Sequence, residues 1–539
     1  MRRVFVDPAR SWRVLLHLYV LLPSLALCQT AARFPSLSSN ATYTLNGTVV
    51  NSVTGEPIRR ALVRLNIHGE RLAFSDSSGH FEFDGLPAGR AFAVVQKPGY
   101  FSEQESLHHP TSLQSVTIGP DSPSLTLKLL PQSVISGHVK SADGEPIEGA
   151  QVKAIASRIV EGRKRLQMVM TAVTNEDGEF RIAHLQPGVY YFEAEPSGYR
   201  QQRSSHKEGY VPAFYPGAPD ITSATPLELN AGQQAEVDLS LRSVVAYKVS
   251  LTLVGYPPNA GIQIMFTDRF GNESSSQNKF NPMTGEFEAE ILPGAYTFEA
   301  TVRTRDGEQL RGELPLNVSR DVAGLVVTLH GSQPTPIIVR AEGAGNDQGA
   351  RNSVRVHLIA DGDSLTRPDY WSYGRTANST SVSVLPNVPP GRYSVEVQAG
   401  GDWYVQSAQC GSTDLLHEEL TVTAGTQIPP IEVVLRNDGA TLSGHVSRGD
   451  SNMSATIVLV PEHGPANETR ITTSSSDGSF FMNDLPPGAY TVLAVDIGAD
   501  GLEYANPEVM ESYSSQAAHV TLQPGSQAQV SVELTHVTD

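Results

Sequence analysis

The chain has 539 residues, a formal net charge of −18 and two cysteines. At roughly 100–200 residues per domain, that length calls for several domains rather than one core. Charged residues make up 18% and aromatics 7%, against 46 Gly and 36 Pro. This describes a turn-rich all-β chain. It excludes a coiled coil and a disulfide-stapled miniprotein, and the acidity argues against nucleic acid as a partner.

The first element is a leader. Arg2, Arg3, Arg10 and Arg13 form a basic flank, and Val14 to Leu27 is apolar apart from His17, Pro23 and Ser24. That run is shorter than the about 20 apolar residues of a membrane span, and it matches a signal peptide occupying residues 1–28. Ala26 and Cys28 place small residues at −3 and −1 for cleavage before Gln29. The alternative is a lipoprotein acylated at Cys28, which the bulk of Leu27 disfavours. Cleavage leaves Cys410 alone, so an inert buried thiol is expected there. Residues 29–40 read as a linker, and no later stretch is long enough for a transmembrane span.

From residue 41 onward the chain repeats. Leu86-Pro87-Ala88-Gly89, Leu185-Gln186-Pro187-Gly188, Leu292-Pro293-Gly294, Val388-Pro389-Pro390-Gly391 and Leu485-Pro486-Pro487-Gly488 recur about every hundred residues. Each is followed by an alternating strand. Upstream of four of them stands a turn and then an aromatic: Gly79-His80-Phe81, Gly178-Glu179-Phe180, Gly285-Glu286-Phe287 and Gly478-Ser479-Phe480. Such turns tolerate the left-handed backbone of a tight hairpin, and the aromatic restarts a strand on its core side. Units open alike, with Leu45-Asn46-Gly47, Ile135-Ser136-Gly137 and Leu442-Ser443-Gly444. About seven turn-linked strands per unit predict sandwiches.

These residues resemble the carboxypeptidase regulatory-like domain, a prealbumin-like and carbohydrate-binding-like β-sandwich. Residues 135–199 carry its pattern most fully and 45–100 nearly as well; the fifth unit keeps Ser443-Gly444 and the Asp477-to-Tyr490 segment. The resemblance implies a tandem array of about five antiparallel Ig-like or prealbumin-like sandwiches. The expected ranges are 41–130, 131–243, 244–331, 332–437 and 438–539, with neighbours touching end to end in an elongated chain. The first, second and fifth are expected to be carboxypeptidase regulatory-like. It also implies an accessory rather than catalytic role, as in secreted or envelope proteins of bacteria.

Catalytic signatures are missing: no HExxH, GxSxG, P-loop or GxGxxG stands in the sequence. The chain is therefore not expected to be an enzyme, to use a cofactor or to hold a metal. His108-His109 point to opposite sides of any strand. His138 and His445 hold equivalent repeat positions, which suggests structure. Asp361-Gly362-Asp363 and Asp496 to Asp500 lack EF-hand spacing. Arg448-Gly449-Asp450-Ser451 falls where other units need a turn. Seven Asn-x-Ser/Thr sites, Asn40, Asn272 and Asn467 among them, match the composition.

The ligand clue is aromatic, because sugars stack on flat rings. Both tryptophans after the leader lie in the fourth unit. The candidate binding residues are Tyr370, Trp371 and Tyr373, with Trp403 as a fourth. Pro368, Asp369 and Ser372 frame the rings. Tyr210, Phe214 and Tyr215 form a second aromatic group, expected to be structural. Function is expected to be a non-catalytic secreted or envelope-associated scaffold or adhesin, with glycans or cell-envelope components as candidate partners. The alternative is an accessory subunit of a separately encoded peptidase or outer-membrane transporter.

Overall fold

In the first sandwich, Tyr43–Asn51 pairs antiparallel with His80–Leu86 on one side and parallel with Leu125–Pro131 on the other. Tyr100–Ser102 completes that sheet, and Glu70–Phe74, Leu62–Asn66, Gly89–Gln96 and Gln114–Ile118 form the opposing one. The parallel pairing of opening and closing strands recurs in the later units, as between Tyr247–Val254 and Val322–Thr328 and between Ala440–Ser447 and Gln527–Thr535. Among the described residues the other strand pairings are antiparallel, except that Gly488–Val495 also runs parallel to Gln527–Thr535 in the fifth unit. The closing strand reaches its place by crossing between sheets, which a simple meander does not require.

The computed structural model describes residues 42–537, apart from 103–104, 106–113, 197–207, 259, 269–277, 305–308, 332–333, 344–348, 350–352, 362–368, 378–379, 387, 424–425, 448–453, 463–468 and 476. The leader, the linker, Cys28, His108-His109, Gly362-Asp363, Pro368, Arg448 to Ser451, Asn40, Asn272 and Asn467 lie outside the described residues. Among the described residues no helix is long and apolar enough to cross a membrane.

Among the described residues five sandwich cores follow one another, spanning Leu45 to Leu129, Ile135 to Leu241, Val249 to Leu329, Ile337 to Leu435 and Ala440 to Val532, and a sixth cluster of Val458, Leu493, Val495 and Leu502 adds to the fifth unit. Alternation builds them: His80–Leu86 buries Phe81, Phe83 and Leu86 while its other residues stay exposed. The repeated serine or threonine before the turn is a buried clip. Ser75 Oγ donates to the Ile58 carbonyl at 2.6 Å and accepts from Ala61 N at 2.9 Å. Thr174 does the same with Ile147 and Ala150, and Ser474 accepts from Ala455 N. In the second, fourth and fifth units the tyrosine two residues after the motif's final glycine is a second clip, whereas Ala91 stands there in the first unit. Tyr190, Tyr393 and Tyr490 are buried, and each hydroxyl donates at 2.8 Å to the carbonyl four residues upstream, on Gln186, Pro389 and Pro486.

The units do not simply run end to end. Neighbours do meet: the rings of Phe101 and His184 lie 4.5 Å apart, and Gln186 Nε2 donates to the Glu105 carbonyl at 2.9 Å. The second unit also reaches the fifth, because the backbone N–H of Ala505 donates to the carbonyl of Gly162 at 3.0 Å. The elongated arrangement is therefore corrected to a folded-back one. The docking segment on the fifth unit is irregular, a short 3-10 turn (Ala499–Gly501) followed by the helix Pro507–Ser512. Asn506 caps that helix by accepting from Glu508 N.

Candidate functional site

Trp371 ends the strand Asp369–Trp371, which is the edge strand beside Arg355–Ala360. Register places it opposite His357, and His357 in turn opposite Glu396 on Gly391–Gln398. All three therefore share the outer face of one sheet. The indole stacks on the imidazole, with centroids 3.8 Å apart and planes at 10°. Its Nε1–H donates to Asp369 Oδ2 at 3.0 Å. His357, itself 8% exposed, has Nε2 3.0 Å from Asp369 Oδ2 and Nδ1 3.4 Å from Glu396 Oε2. Each ring nitrogen of His357 thus faces a carboxylate oxygen. The hydrogen bond from Trp371, then that from His357, holds the Asp369 carboxyl below its usual range. The result is a flat indole, 43% exposed, braced beneath by the His357 ring and set beside the Asp369 carboxylate.

The four candidate aromatics are not brought together on one surface. Tyr370 points the other way, partly buried on the fourth core and edge-on to Tyr393 at 5.9 Å. Trp403 also packs against that core. Tyr373 is 46% exposed but opens a strand of the opposite sheet, where it pairs with Val384. Ser372 makes this corner: it is buried, its N–H donates to the Val356 carbonyl at 2.8 Å, and its Oγ accepts from Val356 N at 2.9 Å. In the second unit Phe214 is buried, and Tyr210 and Tyr215 pack against the core.

Other groups were not legible from sequence. A cleft of about 820 Å³ opens between the third and fourth units, lined among others by Arg311, Glu313, His330, Thr335, Val388 and Ile428. Arg311 Nη2 there bridges Glu299 at 2.7 Å and Glu313 at 2.5 Å. In the second unit His138, Glu236 and Asp238 hold donor atoms within 4.8 Å of one another. His138 Nδ1 lies 3.1 Å from Asp238 Oδ1, which also accepts from His138 N at 2.9 Å. Asp238 thereby fills the ladder next to the closing strand, and its partners come from the far end of the unit's sequence. Cys410 is buried, its thiol donating to the Pro429 carbonyl at 3.4 Å, and burial pushes its pKa up.

Residues 44–127 and 134–242 match the model of the carboxypeptidase regulatory-like domain. The fifth unit lies outside the matched ranges; it retains the buried Ser474 and Tyr490 clips but not the Gly-Glu-Pro-Ile turn. No curated protein matches the chain. Among solved structures it is similar to the TIE protein of Bacillus anthracis, with 14% identity over 54% of this chain and 51% of that one, at a TM-score of 0.17. The chain thus spans about half the length of that relative. It is similar also to a streptococcal ancillary pilin, at 13% identity over 54% of this chain and 98% of that one, with a TM-score of 0.23. For BcpA, the major pilin subunit of Bacillus cereus, the values are 9%, 75%, 99% and 0.13. Overlaps of that quality carry no functional inference. The two matched ranges coincide with the first two sandwiches, which share the buried Ser75 and Thr174 clip and the turn before Phe81 and Phe180, and these two units belong to the carboxypeptidase regulatory-like domain family.

Proposed function

We propose that the chain is an exported, non-catalytic β-sandwich array acting as a structural or adhesive scaffold outside the cytoplasm. The observation that carries this reading is the use made of the repeated polar residues. Ser75, Thr174, Tyr190, Tyr393 and Tyr490 all direct their hydroxyls to their own backbone, so the repeat motif builds sandwiches rather than sites. A second reading adds glycan contact at Trp371, and the open indole beside Asp369 favours it. Ring stacking is worth about 1–3 kcal/mol in single-stranded nucleic-acid sites, taken as the analogy.

Cell fractionation of the tagged full chain tests the scaffold reading, with recovery in an envelope or extracellular fraction and a mature N-terminus at Gln29 expected. Retention in the cytoplasm contradicts it. Stoichiometric co-purification with a peptidase or an outer-membrane transporter would favour the accessory-subunit alternative. A glycan array with the mature protein and Trp371→Ala tests the second reading, through roughly ten-fold weaker retention in the variant. Unchanged retention removes Trp371 from the binding surface.

A further inference from the structure

The strand Gln151–Val160 and the strand Arg163–Val173 form a long hairpin in the second unit. Its tip, Glu161-Gly162, lies far in sequence from the fifth unit, yet the two are joined by several independent contacts. The Ala505 N–H donates to the Gly162 carbonyl at 3.0 Å. Lys164 Nζ is 2.7 Å from Glu503 Oε1, and Glu503 is largely buried. A side chain on Gly162, whose φ is +71°, would stand 2.5 Å from the Tyr504 ring and 2.7 Å from Ala505 N. The tip therefore fits the fifth unit only as glycine. The fourth unit borders the same junction. Burial and then the Glu396 carboxylate push the Glu161 pKa up, and burial and then Glu161 do so for Tyr504.

We propose that this hairpin tip is a latch that closes the second to fifth units into one body, with Leu502–Asn506 as its receptor. Without the latch, contacts between consecutive neighbours would leave the units freer to swing about their short connections. With it, a contact across the array removes that freedom. The closed body presents the His357–Trp371 face in a fixed relation to the second and fifth units.

The native ion pair supplies its own test. A carbodiimide joins an amine to a carboxylate only where the two touch, with no added spacer. The full mature chain is treated at high dilution, the monomer is isolated by size exclusion, and linked peptides are identified by mass spectrometry. Lys248 and Glu288, 2.7 Å apart within the third unit, are the internal control. A Lys164–Glu503 link at a yield comparable to the control is expected. In Gly162→Val that link should fall about ten-fold while the Lys248–Glu288 link is unchanged, and small-angle X-ray scattering should show a larger radius of gyration. Lys164→Glu, which keeps the glycine, should also expand the chain. A control link without any Lys164–Glu503 link overturns the latch. So does a Gly162→Val chain with both yields and the radius unchanged.

Discussion

A methyl group on Gly444 would stand 2.3 Å from the ring of Phe480 and 2.6 Å from the carbonyl of Val530. Two separate motifs of the repeat, the Ser-Gly of the opening strand and the aromatic after the turn, thus meet as one packing unit. Gly47 with Phe81 repeats it in the first unit, at 2.6 Å. Gly444→Ala is expected to destabilise the fifth unit by about 1–3 kcal/mol, the usual cost of overpacking. Hydrogen exchange read by mass spectrometry on the full chain should show faster opening of Ala440–Ser447 and Ser479–Leu485, with the first unit unaffected. Unchanged protection there would mean that the ring moves aside freely.

The tyrosine clip gives a finer perturbation. Tyr490→Phe keeps the buried ring and deletes the hydroxyl that donates to Pro486, leaving that carbonyl without this partner. A loss of about 0.5–1.5 kcal/mol is expected in the fifth unit, the net value of one such bond. The same change at Tyr190 should act on the second unit alone. Equal protection in the variant and the parent would show that the hydroxyl is dispensable.

The two tryptophans should separate cleanly. Trp371 is 43% exposed on an edge strand, whereas Trp403 packs on the fourth core. Trp403→Ala is therefore expected to weaken the protection of Arg355–Ala360 and Gly391–Gln398 more than Trp371→Ala does, because it removes core contacts. The reverse order would assign Trp371 a load in the fold and take it out of consideration as a binding ring.

A buried ion cluster sets a pH dependence in the second unit. Lys153 Nζ lies 2.7 Å from Glu195 Oε2 and 3.4 Å from Glu193 Oε2. Glu193 is 1% exposed and its oxygens lack a formed hydrogen bond. Burial pushes its pKa above the ordinary 4.5, Lys153 opposes that, and Glu195 and Asp268 add to it. For Lys153 burial works against the charge, but the two glutamates outweigh it and hold the pKa above 10.5. A carboxyl with a raised folded pKa contributes stability below its unfolded value and loses it as pH rises through the folded one. The second unit should thus lose stability as pH climbs from 4.5 through that raised value, in exchange data corrected for intrinsic rates. Glu193→Gln should flatten this dependence. A slope that survives the substitution would place its source elsewhere.

The sequence by itself determined the rhythm of this protein. Gly178 at φ +73°, the alternating strands and the Pro-Gly stops act over a few residues, so their chemistry is visible without any partner. The tandem array of sandwiches followed from such local signals. The cap at Asn506-Pro507 was local too, and it could have announced the short helix Pro507–Ser512 of the fifth unit. Only the tertiary structure decided the rest. Asp238 reaches His138 because the closing strand returns parallel to the opening one, a long-range pairing that no turn encodes. Trp403 and Tyr370 left the candidate surface because sheet packing, not composition, chose which face they cover. Gly162 meets Tyr504 because the orientations of successive sandwiches add up over several joints, and a rigid-body angle leaves no periodic trace in the residues on either side.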